Sequence, residues 1–327
     1  MRAIHITELT GPETAVSVVD VPEPGPTDGA FAGEGVLVDV KAAGVSFPEL
    51  LQTRGMYQMK PPPPFIPGSE VAGVVRSAPA GSHVKPGDRV AAFCVLGGWA
   101  ETVAAESRWV FPLPDTLDDA QGAALILNYH TAYFSLVTRG RLRSGDTVLV
   151  HGAAGGVGTA TLQVAKGLGA RTIAVVSSDA KAEVARDAGA DEVVLSGGPW
   201  KDEVKELTNG GVDIVIDPVG GDRFTDSLRS LRPAGRVVVV GFTAGEIPTV
   251  KVNRLLLGNT EVLGAAWGEW IFRDPTYAQK IGDPIAELIE SGAVRPPIGA
   301  RFSLERASDA LLALDRRQAV GKVVLDI

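Results

Sequence analysis

Thr147-Val-Leu-Val-His-Gly-Ala-Ala-Gly-Gly-Val-Gly158 carries the reading that decides the fold. Its first five residues form a short, continuous apolar run without alternation, the pattern of a strand buried on both faces. The run breaks into a glycine-rich turn, and residues 159–168 follow as a helix that Gly169 stops. Glycines at this point permit a tight turn and let the backbone approach a pyrophosphate at the helix N-terminus. The usual G-x-G-x-x-G is altered here, because Ala153 stands for its first glycine and the spacing becomes G-x-x-G-x-x-G. Gly152, Ala153, Ala154, Gly155, Gly156, Val157 and Gly158 are therefore candidate dinucleotide contacts.

Reading toward the C-terminus, residues 171–176 form a second strand and 180–188 a second helix ending at Gly189. Apolar runs at 193–195, 212–216, 236–240 and 261–263 continue the series. Buried strands alternating with helices indicate a doubly wound α/β domain with a parallel sheet. An enzyme that takes NAD usually places Asp or Glu at the end of the second strand, against the ribose 2′-hydroxyl. Here that position reads Val176-Ser177-Ser178, with Asp179 beyond it and then Lys181. Two hydroxyls and an ammonium suit a 2′-phosphate, which favours NADPH. The plainer reading is a capped helix start with a solvated lysine, and it does not account for the missing acid.

The first third has a different texture. Short β-branched runs at 35–40 and 71–75 are separated by Pro22-Glu-Pro-Gly-Pro26, by Pro61 to Pro64 and by Lys85-Pro-Gly-Asp88. Proline fixes φ and removes a donor, so these segments are turns and stiff loops. Thr116-Leu-Asp-Asp reads as a hydroxyl-capped helix start. Beyond residue 266 the parallel-sheet rhythm stops; helices at 277–290 and 304–314 and a last strand at 321–327 are expected to return and complete the first lobe.

With 45% apolar and 21% charged residues the composition is that of an ordinary globular protein. The net charge of -8 opposes nucleic-acid binding, which needs a basic surface. No stretch of about 18 apolar residues predicts a membrane span. The N-terminus lacks the apolar core of a signal peptide, and the single cysteine, Cys94, suits a reducing compartment. The expectation is a cytoplasmic protein.

These residues resemble the medium-chain dehydrogenase/reductase superfamily, specifically its zinc-free quinone oxidoreductase branch, which includes zeta-crystallin-like proteins. The resemblance spans Ala42-Ala-Gly-Val-Ser-Phe-Pro-Glu49, Ile66-Pro-Gly-Ser-Glu-Val-Ala-Gly-Val-Val75, Pro86-Gly-Asp-Arg-Val90 and Gly98-Trp-Ala-Glu101. It continues through the glycine turn, Asp213-Ile-Val-Ile-Asp-Pro-Val-Gly-Gly221, Gly241-Phe-Thr-Ala-Gly245 and Gly321-Lys-Val-Val-Leu325. It implies a Rossmann-type doubly wound parallel sheet plus a GroES-like β-rich catalytic domain. The implied boundaries are 1–121 for the catalytic domain, 122–266 for the cofactor domain and 267–327 for the return. The cofactor, NADPH, is expected between the lobes. By resemblance Asn128 and Thr131 fall near the nicotinamide, Lys181 at the 2′-phosphate and Gly241, Phe242, Thr243 and Ala244 along the cofactor, with Ser46 and Lys322 as further contacts. A homodimer through the cofactor domain is the family default.

The departures are equally specific. Zinc-dependent members carry a cysteine and a histidine where this chain has Ser46 and Ser69, and their four-cysteine lobe has no counterpart. Neutral serine is a poor zinc ligand, so no metal is expected. Quinone reductases often have Asn at the position of Ser46 and a Tyr where Ser196 falls. Tyr57, in a loop where relatives carry a substrate-facing tyrosine, is the candidate catalytic donor; the alternative is an ordinary loop aromatic. His130 and His151 read as packing residues, with proton donation the alternative for His130, and Glu70 as a partner for a nearby cation. The function implied is metal-free hydride transfer from NADPH to a quinone or an α,β-unsaturated carbonyl. Rival readings are an enoyl-thioester reductase and an NADPH-binding protein with little catalysis.

Overall fold

The computed structural model describes residues 1–29 and 33–327. The chain divides into two compact units, Met1–Leu127 together with Pro296–Ile327, and Asn128–Arg295.

In the first unit β1 (Arg2–Ile6) and β2 (Val16–Asp20) form an antiparallel pair. The main sheet is built on β3 (Val36–Val45), with β4 (Glu70–Ser77), β5 (Arg89–Phe93), β6 (Thr102–Ala105) and β7 (Val110–Pro112). β3 pairs antiparallel with both β4 and β6, β4 with β5, and β5 with β7. Its core gathers Ile4, Val38, Leu50, Val71 and Trp99, all fully buried. The Trp99 indole donates to Gly44 O at 3.0 Å, so even this large apolar residue keeps its polar atom paired. The short helix expected from Thr116 begins later. Asp118 caps Asp119–Gly122, accepting from Gln121 N at 2.7 Å, while Gln121 Oε1 accepts from Asp118 N at 3.1 Å. A carboxylate two residues on has displaced the threonine hydroxyl as cap, and it completes a reciprocal box that threonine leaves unfilled.

The second unit holds β8 (Thr147–His151), β9 (Arg171–Val176), β10 (Glu192–Leu195), β11 (Val212–Asp217), β12 (Leu231–Val239) and β13 (Glu261–Gly264). All pairings are parallel, in the order β10-β9-β8-β11-β12-β13. Crossover helices Gly156–Gly167 and Asp179–Asp187 link successive strands on one half, and Trp200–Thr208 leads from β10 across to β11 on the other. The order reverses between β8 and β11, the topological switch point at which open α/β sheets bind ligands. The helix read as 159–168 starts three residues earlier, because Gly155 takes the extended cap conformation and Gly156 enters the first turn.

The expected third segment splits. Residues 267–295 belong with the parallel sheet, not with the return. The reason is aromatic packing within that unit. Trp267 meets His130 edge-on at 5.4 Å, Tyr277 meets Phe134 at 5.6 Å, and Gln163 both donates to Arg295 O and accepts from its N–H at 2.9 Å. The return begins at Pro296 and contributes β14 (Ile298–Ser303), the helix Ala307–Asp315 and β15 (Lys322–Asp326). β15 lies antiparallel to β3 and parallel to β14, extending the main sheet to the order β14-β15-β3-β4-β5-β7, with β6 off this path on β3. The boundary expected at 121 falls at 127, since the segment after Asp119–Gly122 packs on β3. A Cβ at Gly44 would lie 2.6 Å from Ala123 O, so the contact admits only glycine without a shift.

Candidate active site

In the parallel-sheet unit most candidate residues collect at the C-terminal ends of β8, β9 and β12. After β8 the chain turns at Gly152, whose φ of +58° suits a residue without Cβ. A Cβ at Gly158 would meet Gly152 O at 2.2 Å and Ala153 Cα at 2.6 Å, so glycine there lets the helix Gly156–Gly167 start directly against the turn. Ala153 and Ala154 are buried beneath it. Gly155 and Val157 complete the first turn, where helix N–H groups lack helical acceptors.

Asn128 packs on this turn: a Cβ at Gly156 would stand 2.6 Å from its Nδ2. Asn128 lies on a π-helical turn, Ile126–His130, and Thr131 opens the α-helical turn Thr131–Tyr133 that follows. Wide turns of this kind are frequent at functional sites.

The loop after β11 was not among the candidate contacts, and it organises the other side. Asp217, itself buried, accepts from Val219 N at 2.8 Å and Gly220 N at 2.9 Å. Val219 approaches the glycine turn, since a Cβ at Gly152 would lie 3.1 Å from its Cγ2. The loop carrying Gly241, Phe242, Thr243 and Ala244 is laced to the same segment. Gly241 N and Val240 N donate to Asp217 O, Thr243 N to Pro218 O at 3.1 Å and Ala244 N to Val219 O at 3.0 Å. A Cβ at Gly220 would stand 2.9 Å from Phe242 Cδ1. The Asp217-Pro-Val-Gly-Gly221 run after a strand was the sequence signal for this loop.

At the end of β9, Ser177 and Ser178 are exposed and Lys181 is half-buried. Ser178 Oγ accepts from Lys181 N at 3.4 Å, so it caps Asp179–Asp187. The capped-helix reading thus holds for Ser178. Neither buried histidine here is a proton reservoir near neutrality. Burial pushes His130 down to about 3 and His151 down to about 4, so both are neutral imidazoles. His151 Nε2 is paired with Ser227 Oγ at 2.8 Å, and the ring packs against Trp200.

The β-rich unit contributes a second cluster. Ser46 precedes the helix Phe47–Gln52 and its N–H donates to Glu49 Oε2 at 3.0 Å. Glu49 Oε1 accepts from Ser69 N at 3.1 Å and Ser69 Oγ at 2.6 Å. Lys322 Nζ donates to Ser46 Oγ at 2.6 Å and forms an ion pair with Glu70. Glu70 Oε2 accepts from Leu127 N at 2.9 Å. Burial raises the Glu49 carboxyl, and burial, followed by Glu49 and Glu70, raises the Cys94 thiol, which is therefore protonated. Tyr57 lies half-buried in the loop after Phe47–Gln52. That loop is held by Arg54, which forms two 2.8 Å bonds to Asp315 on the return helix. Lys322 and Ser46 thus meet through β15 and the start of one helix, 276 residues apart in sequence.

The residues at the family's zinc-ligand positions do not fit zinc. Both are serines, and an ammonium stands against Ser46, where a dication would be repelled. Among the described residues no group of three or more His, Cys, Asp or Glu could hold a metal ion, and no helix is long and apolar enough to cross a membrane.

A parallel sheet with a glycine turn at its switch point, joined to a β-rich unit that the C-terminal strand completes, defines a two-unit oxidoreductase fold. The sequence matches the alcohol dehydrogenase GroES-like domain over residues 32–115 and the zinc-binding dehydrogenase family over residues 156–281. Quinone oxidoreductase-like protein 2 of Rattus norvegicus is 40% identical, with 100% of this chain and 92% of that protein covered. A probable oxidoreductase from Mycobacterium abscessus is 46% identical at a TM-score of 0.89, covering 100% of this chain and 99% of that one. The quinone oxidoreductase of Thermus thermophilus, solved also in complex with NADPH, is 33% identical at a TM-score of 0.82 with both chains fully covered. The chain belongs to the medium-chain dehydrogenase/reductase superfamily, in its zinc-free quinone oxidoreductase-like branch.

Purified protein is expected to carry well under one zinc per chain by elemental analysis and to keep its activity through prolonged chelation. A tightly held zinc lost together with activity would overturn this.

Proposed function

We propose that the protein is an NADPH-dependent reductase of small electron-poor acceptors, either quinones or α,β-unsaturated carbonyls. Bound NADPH supplies the hydride, and the protein supplies binding, orientation and exclusion of water. The observation that carries the reading is the cradle at the switch point. Its backbone N–H groups suit a pyrophosphate, and beside it β9 is followed directly by two serines, with Asp179 in the first helical turn and Lys181 beyond. The Thermus thermophilus relative, known with NADPH, supports the same choice. Gly152 to Gly158 would hold the pyrophosphate, Ser177, Ser178 and Lys181 the 2′-phosphate, and Gly241 to Ala244 the cofactor's length. Asn128, Thr131, Ser46 and Lys322 would serve the nicotinamide end. The direct test follows NADPH oxidation against a panel of quinones, enones, alkenals and enoyl-CoA esters; turnover of the thioesters alone, or of nothing, overturns the proposed acceptor class.

A homodimer through the cofactor unit belongs to the same proposal. β13 is an edge strand, and the neighbouring segment exposes Val252, Leu256 and Leu257 at 74%, 75% and 78%. Apolar side chains beside an open sheet edge are a liability that a second copy removes. Light scattering is expected to give twice the 34.1 kDa chain mass, and Leu256→Glu with Leu257→Glu to shift it toward one chain. A wild-type monomer at micromolar concentration excludes the dimer.

Losing a charged hydrogen-bond partner costs about 1.5–3 kcal/mol, so Lys181→Ala is expected to weaken NADPH by roughly ten- to a hundredfold. NADH lacks the phosphate and should change little. Equal loss for both would make Lys181 a support of the fold.

Reducing a carbonyl acceptor by hydride leaves negative charge on its oxygen, and a preorganised donor there acts mainly in the transition state. Tyr57→Phe keeps the ring and deletes the hydroxyl. A well-placed donor is worth on the order of 10²–10³ in kcat, whereas one that water replaces is worth about tenfold. A fall within these limits is expected in single-turnover hydride transfer, with NADPH affinity nearly unchanged. An unaltered single-turnover rate would reduce Tyr57 to a shape contribution.

A further inference from the structure

The glycine turn lies at the C-terminal ends of the parallel strands, and a second concave feature lies at their opposite ends. A cleft of about 640 Å³ runs between the helix Phe224–Arg229, the start of β12 and the segment from Lys251 into the helix Asn253–Gly258. That volume suits a small-molecule site. Leu228 and Leu231 line it as buried apolar residues, and Leu257 lines it as an exposed one. Its charged lining has a single sign. Arg229, Lys251 and Arg254 line the cleft and no carboxylate does, in a chain whose net charge is -8. The acids on neighbouring elements are engaged, since Asp226 pairs with Arg229 at 3.1 Å and Glu261 with Arg141 at 2.5 Å. Lys251 and Arg254 make no side-chain hydrogen bond or ion pair among the described residues. Arg254 is nevertheless half-buried, so a cation is partly withdrawn from water with no protein anion beside it.

We propose that this cleft binds a phosphate monoester that carries an apolar body. Two cations without partners call for two negative charges at one point. A phosphate monoester carries about -1.5 to -2 near neutrality, and its three oxygens suit both the planar guanidinium fork and the compact ammonium. A carboxylate brings one charge and leaves a cation unmatched. Arg229 is free to join, because its pair with Asp226 is 48% and 39% exposed, and surface pairs of this kind are weak. The apolar body accounts for the leucines, which a bare phosphate would leave against water. The inference stands apart from the reductase reading, since the cleft borders the N-terminal ends of β12 and β13 and the cofactor cradle does not.

The test is calorimetric titration of the full chain with octyl phosphate, with and without saturating NADP⁺. Methyl phosphate supplies the charge without the body, octanol the body without the charge, and octanoate a single charge. One saturable site per chain is expected, and octyl phosphate is expected to bind at least tenfold more tightly than each of the other three. Lys251→Gln with Arg254→Gln keeps both stems and removes both charges; it is expected to weaken octyl phosphate about tenfold. Raising the salt from 0.05 to about 0.5 M is expected to act in the same direction. Thermal unfolding checks that the variant keeps its fold. Lys181→Ala and NADP⁺ are expected to leave the titration unchanged. Octyl phosphate displaced by NADP⁺, or weakened by Lys181→Ala, would place the probe in the cofactor cradle and overturn the inference. Equal binding of octanol or octanoate overturns the phosphate, and equal binding of methyl phosphate overturns the apolar body. An unaltered affinity in the double variant overturns the site, as does a titration that never saturates, the result expected if a second copy covers the cleft. A protein that binds no NADP⁺ would count against the reductase reading alone, and the double variant would still decide this one.

Discussion

Lys322 and Glu70 place two opposite charges in the interior of the β-rich unit. Burying an ion pair carries a desolvation cost that direct attraction repays only when the remaining polar atoms are also satisfied. Here Ser46 Oγ accepts from one ammonium N–H, Glu70 Oε1 from another, and the second Glu70 oxygen accepts from the Leu127 N–H. The arrangement ties three distant stretches at one point, the last strand, the strand that opens with Glu70, and the chain entering residue 128. The returning strand therefore does more than lengthen the sheet. It delivers the cation without which Glu70 would be an unpaired buried carboxylate, and it orients Ser46.

The parallel-sheet unit depends on close backbone approach instead of charge. Gly158 lets a helix begin in contact with the carbonyl of Gly152, and this brings its first N–H groups to the edge of the sheet. Asn128 lies over Gly156, and the loop after β11 lies beside Gly152. Asp217 holds that loop through Val219 N and Gly220 N, and its own carbonyl anchors the start of the Gly241–Ala244 segment. The loops after β11 and β12 are thus fixed to each other by backbone bonds, and the first packs against the glycine turn through the Val219 side chain.

The buried titratable groups divide the chemistry by exclusion. His130 and His151 are held neutral by burial, and Cys94 is held as a thiol. None is a proton source or nucleophile at neutral pH. In the β-rich unit the hydroxyl residues Ser46 and Tyr57 stand before and after the single helix Phe47–Gln52. This suits a reaction in which the cofactor brings the hydride and the protein needs only to stabilise charge.

The alternation of strands and helices, the glycine turn, the order of the two lobes and the return of the C-terminus are all legible in the chain. These are local signals: a run of buried β-branched residues or a glycine at a helix end can be read within about ten residues. The sequence also pointed to Ser46, Ser69 and Lys181, whose residue types differ from a zinc- or NAD-type pattern. Which helices follow the sheet was settled only by packing in three dimensions, because Trp267 and Tyr277 meet His130 and Phe134 from more than a hundred positions away. Tertiary placement likewise set the Asp217 carbonyl against the N–H groups of Val240 and Gly241. The pairing of Lys322 with Glu70 and Ser46 was equally hidden, since partners 252 and 276 residues away leave no periodic trace in the chain. Contacts of that kind exist only once the last strand has docked, and their polarity follows from which groups the docked strand leaves without water.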